Sequence, residues 1–277
     1  MTIAKRESIH GQWSSRLAFV LAATGAAVGL GNIWKFPYIM GQNGGGAFVL
    51  VYLACILLVA TPILITEIML GRRGRRSPVN AMAELVREEG AHPAWKYLGW
   101  MSVATGFLIL SYYSVIMGWA IAYVKQAITG SFTGLDGQAI KEIFETLTAN
   151  PMELLFWHSA AILVTMLVVV RGVRAGLESF TTLFMPLLFL ILLVLVGYGM
   201  TTGHFGQAVE FMFAPDFSKL TATSVVVALG HAFFTLSIGF GTIMAYGSYM
   251  PERASIANTA LFIVAADTII ALLAGLA

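Results

Sequence analysis

Cysteine and charged residues are both scarce in this sequence, and each scarcity excludes a class of protein. Cys55 is the only cysteine among 277 residues, so an internal disulfide framework is excluded. Charged residues make up 11% of the chain and hydrophobic residues 58%, which leaves too little polar surface to cover a soluble globule. The net charge of +2 provides no extended basic surface for nucleic acid. The composition therefore indicates a protein whose solvent is a lipid bilayer.

Long apolar runs are what the sequence has in abundance. A helix needs about 20 apolar residues to cross a hydrocarbon core of roughly 30 Å. Because the runs are continuous rather than alternating, they favour helices over strands. They predict a single transmembrane domain over residues 1–277 with seven spans, at about 15–39, 47–70, 95–127, 152–170, 177–200, 222–249 and 258–277.

The distribution of lysine and arginine predicts the orientation. With a cytoplasmic N-terminus, most of these residues fall in cytoplasmic loops, including the cluster between Arg72 and Arg76. The exceptions are Lys35, Lys125, Lys141 and Lys219. Since short cytoplasmic loops carry the excess of basic residues, we expect a multi-pass protein of the cell inner (plasma) membrane with its N-terminus in the cytoplasm.

Two loops and the chain end carry further signals. Ser77 and Pro78 predict the start of an interfacial helix whose buried face is Val79, Met82, Ala83 and Val86. Apolar spacing predicts a second loop helix at 138–148. The last apolar run stops without a polar flank at residues 275–277, so we expect the parent protein to continue beyond residue 277.

Glycine clusters interrupt the first and sixth predicted spans near mid-membrane, at 25–32 and 235–241. Each glycine inside a helix costs about 1 kcal/mol relative to alanine, so several glycines destabilise a continuous helix in either segment. An unwound segment frees carbonyls for a cation and presents helix ends to an anionic group. Gly25 and Gly29 also form a GxxxG pair, for which close helix packing is the alternative explanation.

Membrane-embedded polar side chains are the other functional signal. Glu67 and Asp267 are the acids well inside apolar runs, and a buried acid is costly unless it is paired or bound to an ion. Asp267 is the better sodium ligand, together with the oxygen-bearing side chains of Asn32 and Thr235. Glu67 serves equally well as a functional group or as a partner for unwound backbone. For His231 a hydrogen-bonded core histidine is the favoured interpretation.

Several motifs resemble the neurotransmitter:sodium symporter family, and together they cover essentially the whole chain. The matching segments are 13–17, 25–37, 43–48, Pro62, 67–72, Tyr112–Tyr113 and 233–241. The resemblance implies an all-α polytopic membrane protein with the LeuT-type inverted-repeat fold. The first repeat, spans 1–5, would be complete, and the second would be partial, with spans 6 and 7 only.

The family resemblance also implies two sodium sites. The first would use the Ala27 carbonyl and the side chains of Asn32, Thr235 and Asp267. The second would use the carbonyls of Gly25 and Val28. Asp267 stands where some relatives have asparagine, and Ala271 where chloride-independent relatives can carry glutamate, so we expect Asp267 to make chloride unnecessary. His10 replaces a gating arginine of many relatives, a role that Arg6 could take.

A substrate site follows from the same resemblance. The substrate carboxylate would meet the amides of Leu30 and Gly31 and the hydroxyl of Tyr113. Its ammonium would meet the carbonyls of Ala27, Phe234 and Thr235 and the hydroxyl of Ser237. The side-chain pocket would be formed by Ile109, Phe234 and Phe240. Gly29 stands where monoamine carriers place an aspartate, which favours a substrate with its own carboxylate.

These observations predict sodium-coupled symport of a small apolar L-amino acid by alternating access. The expected partners are the amino acid, sodium and the lipid bilayer, without nucleic acid and without a cofactor, and a homodimer is left open. No zinc-spaced histidine pair or nucleophile–base pair points to an enzyme. The alternative is a truncated, non-transporting helical bundle with weak ligand binding or a structural or regulatory role.

Overall fold

The structure, a computed structural model, describes residues 13–201 and 203–277, so Arg6 and His10 lie outside it. α-Helices form most of this part of the chain, and within it the only β-type pairing is an isolated bridge between Gly45 and Pro215. The α-helices, in chain order, are α1 Arg16–Ala27, α2 Phe36–Gln42, α3 Gly46–Cys55, α4 Thr61–Gly74, α5 Pro78–Glu89, α6 Tyr97–Ile128, α7 Gly137–Ala149, α8 Pro151–Val170, α9 Ser179–Gly199, α10 Phe205–Phe213, α11 Ala222–Thr235, α12 Thr242–Ser248 and α13 Ile256–Leu276.

The helix lengths suit a bilayer. Among the described residues, five continuous helical stretches are long and apolar enough to cross it: Gly46–Gly74, Pro93–Ile128, Pro151–Val170, Val173–Gly199 and Ile256–Leu276. A bent pair, Arg16–Ala27 with Gly31–Gln42, passes the same test as one span with a 48° bend. Helix α11 has 14 residues and is too short to cross alone. The predicted span 222–249 therefore consists of α11 and α12 with a break between them.

Side-chain caps explain where several helices begin. The Ser15 hydroxyl accepts from the Ala18 amide at α1, and Asp136 accepts from Ala139 at α7. Each such cap satisfies a backbone N–H that has no partner inside the helix. The predicted loop helix at 138–148 is confirmed as α7.

Helix α5 is also present, but its buried face differs from the prediction. Ser77 occupies the cap position without a side-chain hydrogen bond. The buried residues are Ala81, Met82 and Leu85, whereas Ala83 is exposed. The prediction is confirmed for Met82, and Val79 and Val86 are half-buried, but it was wrong for Ala83 because helix α5 packs on both α4 and α6, which shifts the buried stripe.

Helices pack most closely where small residues let backbones touch. A Cβ added at Gly71 of α4 would collide with the Met244 carbonyl of α12, and one at Gly247 of α12 would lie 2.7 Å from the Ile68 carbonyl oxygen. Helices α3 and α11, which precede α4 and α12 in the chain, also pack against each other. A wide π-helical turn, Ile56–Ala60, joins α3 to α4. One buried core therefore lies among the predicted spans one, two, six and seven. Helices α6, α8 and α9 instead expose long apolar faces.

Arg75 fastens the C-terminal end of α4 to that of α12. Arg75 is 4% exposed, and its guanidinium donates to the carbonyls of Ser248 and Met250, at 3.1 and 2.5 Å. We expect Arg75→Met to destabilise the chain by roughly 3 kcal/mol, because hydrogen bonds from charged groups contribute about 1.5–3 kcal/mol each and two buried carbonyls would lose their donor. Thermal unfolding in detergent measures this, and Arg76→Met, at an exposed neighbouring arginine, is the control. Equal midpoints for the two variants would contradict the role given to Arg75.

Candidate functional site

The first helix break lies between α1 and α2. Helix α1 ends at Ala27, and Val28 turns to an extended conformation with φ −78° and ψ 120°. The chain re-enters helix through a π-helical turn, Gly31–Lys35, before α2. The Gly29 amide donates to Oδ1 of Asn32 at 3.1 Å, so a side chain satisfies backbone that the helix has released. This break is the unwinding that the glycine cluster predicts.

The second break lies between α11 and α12. Ser237, Gly239 and Gly241 all have positive φ, at 53°, 85° and 75°. Glycine adopts such values without strain, whereas Ser237 is the costly member. The Ser237 hydroxyl donates to the Ala26 carbonyl at 2.7 Å, which ties the second break to the end of α1. Strain at one residue is thus held in place by a contact between the two breaks.

Glu67 of α4 reaches into the second break. Its Oε1 accepts a 2.7 Å hydrogen bond from the Gly239 amide, while Oε2 is buried without a partner among the described residues. This contact favours the backbone-supporting interpretation of Glu67 over a direct ionic role. The hydrogen bond lies at the depth of the break and satisfies a backbone amide that the broken helix leaves without a partner.

Asn32, Thr235 and Asp267 form a buried polar cluster between the two breaks, each no more than 1% exposed. The Asn32 amide nitrogen donates to Oδ1 of Asp267 at 2.8 Å and to the Thr235 hydroxyl at 3.0 Å. The Thr235 hydroxyl lies 2.9 Å from Oδ1 of Asp267. All the hydrogen-bonding side chains around this carboxylate are neutral, and it has no ion pair with any residue in 13–201 or 203–277. A fully buried carboxylate with neutral neighbours is costly, so the cluster is a natural site for a cation.

A cavity of about 520 Å³, hereafter the central cavity, lies beside this cluster. It is lined by most of the predicted site residues: Gly25, Ala27, Val28, Leu30, Gly31, Ile109, Tyr113, Phe234, Ser237 and Phe240. Asn32, Thr235 and Asp267 do not line it and are buried behind it. Gly29 lines it too, and sequence reasoning missed the remaining lining residues: Ala26, Met117, Ala120 and Phe180. Met117 and Ala120 lie one and two turns beyond Tyr113 on α6, a spacing that could have indicated them.

The Tyr113 hydroxyl holds the first break from α6. It accepts from the Leu30 amide at 3.0 Å, so one of the amides predicted to receive a substrate carboxylate already has a partner. A Cβ at Gly29 would lie 2.8 Å from this hydroxyl. A Cβ at Gly25 would instead meet Thr181 and Met185 of α9. The two glycines therefore face different helices: Gly25 serves close packing, while Gly29 leaves room for Tyr113.

A smaller outer cavity of about 300 Å³ lies on the other side of Tyr113 and Phe234. The two rings are 6.4 Å apart and border both cavities. The outer cavity is lined by Tyr112 and by Lys35, whose ammonium lies 5.0 Å from the centre of the Phe234 ring. Tyr112 lines only the outer cavity, whereas Tyr113 lines both cavities.

His231 departs from its sequence interpretation. It is 3% exposed and stacks on Phe36 with ring centres 5.8 Å apart, with Tyr52 on another side at 5.4 Å. Neither ring nitrogen has a hydrogen-bond partner among the described residues, so the expectation of a hydrogen-bonded histidine was wrong. Aromatic packing from α2 and α3, which helix periodicity in α11 cannot reveal, decides its surroundings.

Comparisons with known proteins agree with this architecture. The profile of the Sodium:neurotransmitter symporter family matches residues 10–135 and 138–277. An uncharacterized sodium-dependent transporter of Bacillus subtilis, YhdH, is 41% identical over 96% of this chain, and the sodium-dependent neutral amino acid transporter B(0)AT2 of Bos taurus is 26% identical over 86%. The crystal structure of MhsT in complex with L-phenylalanine superposes with a TM-score of 0.88 at 41% identity and covers 98% of this chain.

The chain is shorter than these relatives. It spans 58% of the Bacillus subtilis protein, 36% of the bovine protein and 60% of the MhsT chain.

Proposed function

This chain belongs to the sodium:neurotransmitter symporter family, and from that premise we propose that it binds sodium and a small apolar L-amino acid for symport by alternating access. The buried Asp267 carboxylate, which has only neutral partners, is the observation that carries the proposal. The family is one of sodium-coupled membrane transporters, and the LeuT-type fold of this chain matches it. Within that fold we propose seven spans, an inner (plasma) membrane location and a cytoplasmic N-terminus.

Sodium binds at the buried cluster in this proposal. Asp267 supplies the negative charge, Asn32 and Thr235 supply neutral oxygens, and the carbonyl end of α1 at Ala27 adds the partial negative charge of a helix C-terminus. Hard oxygen donors of this kind suit sodium. Binding replaces the hydrogen bonds that Asn32 and Thr235 now give to Asp267, so the ion substitutes for an existing network. A permanent carboxylate also removes the need for a second anion, and we propose that chloride is not required.

The second sodium ion would use the carbonyls of Gly25 and Val28. Both residues line the central cavity at the end of α1, where helix termination leaves carbonyls without intrahelical partners. The pair supplies only part of a coordination shell, and the number of sodium ions per transport cycle follows from whether this site fills.

The amino acid occupies the central cavity with its charged groups toward the two breaks. Its carboxylate meets the amides of Leu30 and Gly31 and the hydroxyl of Tyr113, which must first release the Leu30 amide. Its ammonium meets the Ser237 hydroxyl and the carbonyls of Ala27, Phe234 and Thr235. An apolar wall takes the side chain: Ile109, Met117, Phe180, Phe234 and Phe240. The volume of the cavity, and the phenylalanine named for MhsT, favour apolar substrates up to aromatic size.

A binding assay with a matched pair of tyrosine variants tests this proposal. Radiolabelled leucine and tryptophan are offered to purified chain in sodium or in potassium, and we expect saturable binding in sodium alone. Tyr113→Phe removes the hydroxyl that meets the carboxylate and should weaken binding about tenfold or more, as expected for one charge-assisted hydrogen bond. Tyr112→Phe, the neighbour outside the central cavity, should bind like wild type.

Two outcomes would count against the proposal. Equal binding in sodium and in potassium would contradict the assignment of sodium to the site. Equal loss of leucine and tryptophan binding in both tyrosine variants would contradict the contact between Tyr113 and the substrate carboxylate. Sodium-dependent binding without uptake into proteoliposomes would favour the second candidate, a bundle that binds but does not transport. The observation that favours this second candidate is that the chain covers 58% of its Bacillus subtilis relative.

A further inference from the structure

A third cavity, of about 620 Å³, lies at the far end of α6 and is called the α7 cavity here. Its walls come from the end of α6 with the following loop, from α7, and from the first turn of α8. None of its lining residues lines the central or the outer cavity. It is therefore a separate site, on the extracellular side in the orientation proposed above.

Each of the three walls contributes one charged side chain. Lys125 comes from α6, Glu142 from α7 and Glu153 from α8. Within residues 13–201 and 203–277, Lys125 and Glu153 form no ion pair with each other or with a third residue, although opposite charges lining one cavity attract. The Lys125 ammonium lies 5.7 Å from the centre of the Trp157 ring, and Glu142 accepts one long hydrogen bond, 3.3 Å, from Gln138. All three charges therefore remain available to a ligand.

A buried acceptor beside these charges also lacks a donor. Gln126 lines the α7 cavity, and its Oε1 is buried without a hydrogen-bond partner in the described part of the chain. Buried side-chain oxygens are hydrogen-bonded in the large majority of cases. Rotation of this side chain toward the cavity would let an N–H donor of a ligand satisfy the oxygen.

The cavity walls are held by packing that does not involve a ligand. Phe144 of α7 packs edge-on against Trp119 and near Tyr123 of α6, with ring centres 5.3 and 6.3 Å apart, and Leu147 is buried beneath. The Asn150 side chain caps α8 by accepting from the Met152 and Glu153 amides, which fixes the first turn that carries Glu153. A ligand therefore meets a preformed site and does not have to order α7.

We propose that the α7 cavity binds a basic amino acid such as lysine. The ligand carboxylate pairs with Lys125, and the two cationic groups pair with Glu142 and Glu153. The aliphatic stem lies along the apolar wall of Ile143 and Leu147. The lining has a net charge of −1, from one lysine and two glutamates, and a basic amino acid carries the complementary +1 with both signs represented. A neutral amino acid would leave one glutamate unpaired, and an acidic one would add repulsion.

Equilibrium dialysis of radiolabelled lysine against the purified full chain, in potassium buffer without sodium, tests the site. Two analogues separate the groups: norleucine lacks the second amine, and 1,5-diaminopentane lacks the carboxylate. We expect each to compete about tenfold less well than lysine, since each loses one charge-assisted contact. Lys125→Met should weaken lysine binding about tenfold and should not weaken diaminopentane binding, because it removes a repulsive charge, whereas Glu153→Gln should weaken both.

The exposed pair Lys141 and Glu145 on α7 provides matched controls, since both carry the same charges outside the cavity lining. Lys141→Met and Glu145→Gln should bind lysine like wild type, and all four variants should keep the wild-type thermal unfolding midpoint. No saturable lysine binding, or equal weakening by Lys125→Met and Lys141→Met, overturns the assignment. Lysine binding that Tyr113→Phe abolishes would place the ligand in the central cavity and overturn it too. Because leucine binding in sodium is read separately, this outcome is distinguishable from failure of the transport proposal.

Discussion

Replacement of Asp267 by asparagine is expected to lower the affinity for sodium at least about 100-fold and to abolish sodium-dependent leucine binding. Asparagine keeps the shape of the side chain and one acceptor for Asn32 and Thr235, but it removes the charge that balances the ion. A loss of about 3 kcal/mol, the size expected when a buried charge loses its partner, corresponds to this factor. A sodium titration of leucine binding measures it.

The same variant separates ion binding from folding. Without sodium, Asp267→Asn should unfold at the wild-type temperature or higher, because a buried charge with neutral partners has been removed. Sodium should raise the wild-type midpoint and leave the variant unchanged, since only a folded state that binds the ion gains from it. Asp216→Asn, at a loop position whose side chain is 46% exposed, is the control. A sodium-induced shift in Asp267→Asn as large as that of wild type would contradict the sodium assignment, and a wild-type response that vanishes in gluconate would contradict chloride independence.

Glu67→Met is expected to reduce leucine binding about 30-fold or more, although Glu67 touches neither ligand in the proposed pose. The variant leaves the Gly239 amide without its 2.7 Å acceptor, and a buried donor left unsatisfied costs about 1–3 kcal/mol. The second break would then lose the contact that holds it in the geometry that presents Ser237. Leucine binding in saturating sodium measures the effect.

Glu67→Gln is the informative companion, because its amide oxygen can accept the same hydrogen bond without a charge. We expect it to bind leucine within a few-fold of wild type. If glutamine is as damaging as methionine, the charge of Glu67 matters in itself and its role as a backbone support is wrong. Thr66→Val, which alters the adjacent exposed residue on α4, controls for general damage to that helix.

Much of the architecture was predictable because it depends on local signals. The lengths of the apolar runs identified α3 with α4, α6, α8, α9 and α13, and glycine clusters located both breaks. The depth of Asn32, Thr235 and Asp267 in their runs placed them at one level, and the structure brings all three into contact. Family motifs added the residues around the central cavity, nearly all of which line it. Their roles as ligands remain predictions.

What the sequence could not indicate depends on which helix faces which. Gly25 and Gly29 share a motif, yet one meets Met185 and the other Tyr113, because the break rotates the chain between them. Phe180 lines the central cavity from α9, far from any motif that marks the site. The predictions for the surroundings of His231 and for Ala83 on α5 were wrong for the same reason. Periodicity identifies a face of a helix, but only tertiary packing determines its neighbour.

The packing of helices α3, α4, α11 and α12 in pairs determines how this core can deform. Helix α3 packs on α11 and α4 packs on α12, while α3 joins α4 through a π-helical turn and α11 joins α12 through an unwound segment. Within the α4–α12 pair, backbone contact at Gly71 and Gly247 leaves no compressible side chain between the helices. Both connections between the pairs are wide or unwound, and such turns bend more readily than α-helix. The core therefore consists of two stiff helix pairs with a more flexible connection between them. Ser237 lies in that connection, and Glu67 of α4 contacts it through the Gly239 amide.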